Sequence, residues 1–169
     1  MRWKDKVILT ERVFKENRMS RGTITRELET LFESEVYVIP DIADDMTGHA
    51  DGHVRFIDGR TVLVNELKNE YKYWQKGFLK MIKEANLDFV EMPWFETSEN
   101  ESTIGIYVNY LEVANIILFP VFEVANNCDE HALQIIQRLF PHRTIVPINA
   151  NEIARHGGIL NCITWTIRQ

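Results

Sequence analysis

The sequence predicts an α/β fold in which a strand-strand-helix-strand unit occurs nearly three times. Hydrophobic periodicity indicates three amphipathic helices, and a short apolar strand follows each of them. The prolines in these strands, Pro40, Pro93 and Pro147, lie 53 and 54 residues apart. A second apolar segment precedes each helix and recurs after 55 and 54 residues. Regular spacing over this length indicates a repeat architecture rather than a coincidence of composition.

The first unit is predicted over about 1–45. Its segment "VILTERV" is typical of a buried strand, and "VYVIP" is typical of a second strand that follows the helix. The helix is predicted at about 23–34, because Ile24, Leu28 and Phe32 recur at helical spacing. No strand is predicted before "VILTERV", so we expect this unit to lack the first strand of the repeat.

The second unit is predicted over about 46–100 and contains all four elements. The segments "HVRFI" and "TVLVNEL" are typical of strands, and "DGR" between them predicts a hairpin connection. A helix is predicted at about 74–86, and the strand "DFVEMP" follows it.

The third unit, predicted over about 101–155, repeats the same order. Its strands are "IYVNY" and "NIILFPV", connected by "EVA", then a helix at about 129–140 and the strand "RTIVPI". The last segment, 157–169, contains "NCITWTI", which resembles the first strand of a further unit. We therefore predict one partial domain over 1–169.

Three polar residues occupy equivalent positions in this repeat. Arg55, Asn109 and Cys162 are separated by 54 and 53 residues and align with one another in successive units. Equivalent positions of a repeat line one common surface. We therefore expect these three side chains to point at a shared centre.

The composition is that of an ordinary globular protein, with 45% hydrophobic and 26% charged residues. A net charge of −6, without clusters of Lys and Arg, argues against a nucleic-acid partner. The N-terminal stretch lacks the features of a signal peptide, and no apolar run is long enough to span a bilayer. We expect a cytoplasmic protein without a membrane partner.

The two cysteines, Cys128 and Cys162, form neither a disulfide framework nor a C-x-x-C metal motif. Cys162 fits two interpretations. It is either a small buried strand residue or a nucleophile, which would need a neighbouring base or positive charge to become a thiolate. Cys128 lies just before a predicted helix and is expected to be an exposed loop thiol.

The dense polar stretch "DDMTGHADGHVRF" offers a second set of candidates. Alternate residues of a strand share a face, so His49, Asp51 and His53 would point one way if this stretch were extended. They could then bind a metal together with Asp45, or bind a cationic substrate while His49 transfers protons. A third possibility is a polar loop without a chemical role.

The chain resembles the family of agmatine deiminases and Porphyromonas-type peptidylarginine deiminases, within the pentein superfamily. "GHADGHVRF" is similar to the family motif H-x-D-x-x-x-R-F, and "GGILNCITW" resembles its terminal Gly-Gly segment ending in Cys-x-Thr. Between them, "YVNYLEVANIILFPVF" resembles the family's Y-x-N segment, and "ILTERVFKENR" also resembles family sequence. The resemblance covers essentially the whole chain.

This resemblance implies a pentein-type β/α-propeller and hydrolysis of a guanidino group to a ureido group and ammonia, without a cofactor. Cys162 would be the nucleophile and His49 the general acid and base. Asp51 would hold the guanidinium, with Arg55 as a second substrate-binding residue and Asn109 as a supporting catalytic group. The implied substrate is agmatine, another cationic guanidino small molecule or an arginine-containing peptide.

The chain departs from the family pattern in two ways. Asn161 stands where family members usually have His before the nucleophile, and family chains are about twice as long, with five modules rather than nearly three. We therefore expect a homo-oligomer or a complementing N-terminal half as partner. Two alternatives stay open, a non-catalytic guanidine-binding or regulatory module and a metal-dependent hydrolase using His49, Asp51 and His53.

Overall fold

The computed structural model describes residues 1–42, 45, 47–95 and 103–165. The chain divides into two compact units, Met1–Val90 and Glu91–Gln169. In the part of the chain that the structure describes, no helix has the length and apolar character needed to cross a membrane.

The first sheet of the first unit has the strand order β1-β2-β3. Strand β1 pairs antiparallel with β2, and β3 pairs parallel with the other edge of β2. Two helices connect β2 to β3, which gives the strand-helix-strand crossover that parallel pairing requires. The elements in chain order are β1 (Arg2–Trp3), β2 (Lys6–Thr10), α1 (Arg12–Lys15), α2 (Arg21–Phe32) and β3 (Glu35–Ile39).

The prediction that the first unit lacks its first strand is wrong, because β1 occupies that place. Strand β1 is only two residues long, too short to show an alternating pattern. The chain turns back at Lys4, whose φ of 47° lies in the left-handed region. Neither property leaves a clear signal in the sequence.

The second sheet has the order β4-β5-β6, with β4 and β5 forming an antiparallel hairpin. The predicted "DGR" connection is confirmed. The carboxylate of Asp58 accepts the backbone N–H groups of Arg60 and Thr61, which stabilises the turn. The elements are β4 (Val54–Phe56), β5 (Thr61–Asn65), α3 (Lys72–Glu84) and β6 (Asp88–Met92).

The core of the first unit lies between α3 and these strands. The Trp74 and Phe78 rings of α3 stack with their centroids 5.3 Å apart, and both side chains are fully buried. At Gly77, on the same helix, an added Cβ would lie 2.2 Å from Cγ of Pro40. The helix can therefore approach the end of β3 this closely only because residue 77 has no side chain.

The third sheet, in the second unit, has the order β7-β8-β9. Its pairing repeats that of the first sheet, because β7 is antiparallel to β8 and β9 is parallel to it. The elements are β7 (Leu111–Val113), β8 (Ile116–Val121), α4 (Asp129–Leu139), β9 (Thr144–Asn149) and α5 (Asn151–Ala154).

The segment "IYVNY" is not a strand, contrary to prediction. It forms turns, and the strand comes just after it, at β7, where a hairpin connection was expected. From Tyr107 to Tyr110 every residue is buried, so the segment has no alternation between a core face and a solvent face. The Tyr107 hydroxyl donates to the carboxylate of Asp129, and its ring stacks on Phe119.

The predicted C-terminal strand is also absent over 157–165, and residues 166–169 lie outside the described residues. Gly157 has a φ of +81°, and Ile159 and Leu160 are buried side by side rather than alternately. The N–H of Ile163 donates to the carbonyl of Ile159, which is the hydrogen bond of a helical turn. Cys162 therefore lies in a turn and not in a strand.

Candidate active site

Cys162 and Asn109, two of the three residues expected to share a centre, are in contact. Asn109 Nδ2 donates a hydrogen bond to Cys162 Sγ over 3.2 Å. Asn109 Oδ1 accepts the backbone N–H of Asn161 at 3.0 Å and that of Cys162 at 3.3 Å. A single amide side chain thus holds both the sulfur and the turn that carries it.

The two residues differ in exposure. Asn109 is 1% exposed, whereas Cys162 is exposed to solvent. The interpretation of Cys162 as a buried strand residue is therefore wrong. Because an N–H donor favours the negatively charged form of the sulfur that accepts it, this arrangement suits a thiolate that can meet a ligand. Gly158 leaves room for it, since an added Cβ there would lie 3.1 Å from Cys162 Cβ.

Cys128 differs from Cys162 in both position and contacts. It is half-buried rather than exposed as predicted, and it directly precedes α4. Its backbone N–H donates to the hydroxyl of Tyr107, and its thiol lies 3.9 Å from the carbonyl oxygen of Trp94.

His49, Asp51 and Arg55 all belong to the first unit. The prediction that His49, Asp51 and His53 share one strand face is wrong, because Ala50–Gly52 forms a turn of 3₁₀ helix. His49 precedes this turn and is exposed, Asp51 lies within it and is half-buried, and Arg55 is buried in β4. Cys162 and Asn109 belong to the second unit.

Side chains from β2 and β5 hold the backbone around this turn. The Thr10 hydroxyl donates to the carbonyl of Gly48, and Asn65 Nδ2 donates to the carbonyl of Gly52 at 2.9 Å. Gly48 has a φ of +61°, and an added Cβ would lie 2.2 Å from Nε of Arg12. The backbone that carries His49 and Asp51 is therefore held by side-chain hydrogen bonds before and after these two residues.

His53 is paired with an acidic side chain. The side chain is buried, and its Nε2 lies 3.3 Å from Oδ2 of Asp45. The hydrogen bond from His53 holds the pKa of Asp45 well below its usual range, and hydrogen bonds from Thr47 and from the backbone act in the same direction. Burial opposes this shift without reversing it.

The metal-binding interpretation finds no matching geometry in the described residues. No group of three or more His, Cys, Asp or Glu side chains among them is arranged to hold a metal ion. His53 is directed at Asp45, while His49 is exposed at the start of the 3₁₀ turn.

Several residues around the candidate site were missed by sequence reasoning. Burial raises the pKa of Glu70, and its interaction with nearby His53 opposes that shift. Arg12 donates to the carbonyl of Asp45 at 2.5 Å. Asn65, 13 residues from its partner Gly52, belongs to the same set. Their partners are distant in sequence or are backbone carbonyls, which no motif reveals.

The family model described as Porphyromonas-type peptidyl-arginine deiminase matches residues 4–167. A Shewanella baltica protein named "Putative agmatine deiminase" is 36% identical over 93 residues, which are 55% of this chain and 25% of that protein. A protein of the same name from Streptococcus mutans is 38% identical over 80 residues, 47% of this chain and 21% of that protein.

Solved structures share the fold over nearly the whole chain. An agmatine deiminase from C. jejuni superposes with a TM-score of 0.77 at 19% identity, covering 94% of this chain and 50% of that one. The agmatine deiminase of Enterococcus faecalis gives 0.76 at 20% identity, covering 95% and 53%. The chain thus has the α/β fold of these proteins, with three sheets of three strands, and spans about half of their length.

Proposed function

The chain belongs to the Porphyromonas-type peptidyl-arginine deiminase family, and we propose that its site residues are those of a cysteine-dependent deiminase. The reaction would hydrolyse a guanidino group to a ureido group and ammonia. The observation that carries this proposal is the contact between Asn109 Nδ2 and Cys162 Sγ, 3.2 Å long, at an exposed thiol. It joins two residues 53 positions apart at matching places in the repeat.

The proposed mechanism uses only the chain's own residues. The Cys162 thiolate attacks the guanidinium carbon, and His49 protonates the departing amine, which leaves as ammonia. A covalent thiouronium remains on the sulfur. His49 then removes a proton from water, and the hydroxide formed attacks the same carbon. The added hydroxyl loses its proton to the released ammonia as the carbon–sulfur bond breaks, which gives the ureido product and ammonium and restores the thiolate.

Asp51, Asn109 and Arg55 would support these steps. A half-buried carboxylate such as Asp51 suits the planar N–H edge of a guanidinium, because charge-assisted pairing is strong and directional. Asn109 would keep the sulfur in place through both steps. Arg55 is cationic, so any substrate group that it binds would be a carbonyl or a carboxylate, such as those of arginine or an arginine-containing peptide.

The substrate class and the partner belong to the same proposal. Agmatine or an arginine-type guanidine fits the family, and no cofactor takes part in the steps above. The three sheets would be modules of one partial pentein-type propeller. Because the chain spans 50% and 53% of the two solved agmatine deiminases, the remaining pocket groups would come from a second copy or a complementing chain.

The chain spans only about half of these two solved structures, which also supports a second candidate function. This is a guanidine-binding or regulatory module that keeps the site residues but does not catalyse the reaction. Isothermal titration with agmatine, alongside an ammonia assay, separates the two functions. Stoichiometric binding without ammonia release would favour the module.

Ammonia release from agmatine, arginine and an arginine-containing peptide tests the enzymatic proposal. Cys162→Ser should abolish turnover, and His49→Gln should lower kcat roughly 100-fold or more if His49 transfers protons. Cys128→Ser and His142→Gln are matched controls and should leave the rate unchanged. Full turnover by the Cys162→Ser variant would refute the proposal.

A further inference from the structure

The segment between Asp45 and His53 carries both His49 and Asp51, and side chains join its two ends. His53 Nε2 lies 3.3 Å from Asp45 Oδ2, across eight positions of the sequence. Because Asp45 is ionised and accepts only, the His53 nitrogen that faces it must carry the proton. The proposed mechanism uses neither of these two residues.

The His53 end of the segment is anchored in the core of the first unit. The residue is 9% exposed, and its ring lies 5.6 Å from the fully buried ring of Trp74. Its backbone N–H donates to Ala50 O at 3.0 Å, and its carbonyl accepts the N–H of Asn65 at 3.4 Å. The contact with Trp74 restricts the ring of His53, and the two hydrogen bonds restrict its backbone. Together they hold Nε2 in place.

The Asp45 end has more polar contacts. Asp45 Oδ1 accepts the N–H and the hydroxyl of Thr47 at 2.8 and 2.7 Å, and the Asp45 carbonyl accepts Nη2 of Arg12. Its side chain is 22% exposed, so water competes only in part for the His53 contact. These bonds hold the carbonyl of Asp45 and residue Thr47, which is two residues before His49.

We propose that the Asp45–His53 pair positions His49 and Asp51 for reaction, because the Asp45 carboxylate bridges Thr47 and His53, the two ends of residues 47–53. This inference rests on the proposed function, in which those two residues act on the guanidino group. The physical reason is geometric, since general acid-base catalysis and guanidinium pairing both need atoms held at hydrogen-bond distance. Asp45 and His53 are positioning residues in this proposal, because they contact each other and the proposed mechanism assigns them no contact with the substrate.

Hydrogen exchange of single amides measures the positioning directly and needs no activity. His53→Phe keeps an aromatic ring against Trp74 but removes the N–H donor, whereas His53→Gln keeps a donor at a similar reach. In the Phe variant, the amides of Thr47 and residue 53 should exchange about fivefold faster, the effect of losing one hydrogen bond of ordinary strength. The Gln variant should exchange at nearly the wild-type rate.

Kinetics provides the second measurement. His53→Phe should lower kcat by roughly 10- to 100-fold with a smaller change in KM, because a catalytic group displaced by about 1 Å loses rate on that scale. His53→Gln should recover most of the loss. His142→Phe, at an exposed histidine, is the matched control and should change neither kcat nor exchange.

The double variant His53→Phe/Asp45→Ala shows whether the two residues act as a pair. Its kcat and exchange rates should match those of the more impaired single variant, because either change alone removes the contact. Fully additive losses, or wild-type exchange in His53→Phe, would overturn the inference even in an active enzyme. Absence of ammonia release by the wild-type chain even when it is paired with a complementing N-terminal half would instead refute the proposed function, and the exchange rates would still decide the positioning role.

Discussion

Asn109 combines two functions that few side chains can combine. Its amide nitrogen donates to the Cys162 sulfur while its amide oxygen accepts two consecutive backbone N–H groups of the turn. An amide presents a donor and an acceptor side by side on one planar group. Substitution of the amide therefore separates support of the sulfur from support of the turn.

Replacing Asn109 should lower the reactivity of Cys162 toward a haloacetamidine. Asn109→Asp keeps an oxygen that can accept from the turn, but it places a negative charge where the N–H donor was, so the thiolate is disfavoured. We expect labelling at pH 7 to slow about tenfold, the equivalent of one hydrogen bond to a charged group. Peptide mass spectrometry of time-quenched samples gives the rate for each cysteine.

Cys128 is an internal standard in that experiment, because it directly precedes α4 and its thiol lies 3.9 Å from the carbonyl oxygen of Trp94. Its labelling rate should be the same in wild type and variant. If Cys162 in Asn109→Asp reacted at the wild-type rate, the 3.2 Å contact would have no role in activating the thiol.

The residues of the site were predictable to different degrees. The repeat placed Asn109 and Cys162 at matching positions, and their side chains are in contact. The strand assumed for both was wrong. Asn109 lies in a segment that is buried on all sides, where alternation cannot be recognised, and Cys162 lies in an exposed turn. Arg12 could not be found from sequence, since the carbonyl to which its Nη2 donates belongs to Asp45, 33 residues away.

At the scale of elements, the hydrophobic period predicted the helices well. The helices predicted at about 23–34, 74–86 and 129–140 lie within two residues of α2, α3 and α4 at both ends. Amphipathic helices against a sheet display their periodicity plainly, and each proline-marked strand after a helix is also observed. Short strands such as β1 and β7 have too few residues for a pattern, which explains why the errors fall there.

The close packing of α3 against the end of β3 gives a stability prediction. Alanine at residue 77 would place Cβ 2.2 Å from Pro40 Cγ, and a proline ring cannot rotate away as a flexible side chain does. The helix propensity gain of about 1 kcal/mol for Gly→Ala opposes this clash. We expect the clash to dominate, with Gly77→Ala lowering the free energy of unfolding by about 1–3 kcal/mol.

Gly22 is the matched control for that prediction. It lies in α2, and nothing is within 4 Å of the position where its Cβ would be. Gly22→Ala should leave the free energy of unfolding unchanged or raise it by up to about 1 kcal/mol. Urea unfolding of both variants provides the comparison, and equal effects at residues 22 and 77 would show that the Pro40 contact yields at little cost.

At the scale of the whole molecule, charge and length bear on function. A net charge of −6 attracts cationic guanidino compounds over distances comparable to the Debye length, which aids encounter without fixing specificity. Each three-stranded sheet has two edge strands, such as β1 and β3 of the first sheet. Strand edges without partners present N–H and C=O groups that can pair with another chain.

These features lead to a prediction about association. The chain spans 50% of the C. jejuni agmatine deiminase, and both His49 and Cys162 are exposed. In the proposed mechanism, water at an exposed site would screen the attraction between thiolate and guanidinium and would weaken the pairing of Asp51 with the substrate. We therefore expect slow or absent ammonia release from agmatine by the lone 169-residue chain, and faster release when it self-associates or pairs with a complementing half.

Light scattering and an ammonia assay on the same samples test this across a range of protein concentrations. Turnover per chain should rise together with the mass of the species in solution, because each association event would shield the site from water. Addition of a separately expressed N-terminal half from a relative should raise the rate further if it covers the pocket. A strictly monomeric chain with the turnover of a full-length agmatine deiminase would contradict the prediction, since it would show that His49, Asp51, Asn109 and Cys162 suffice without a second chain.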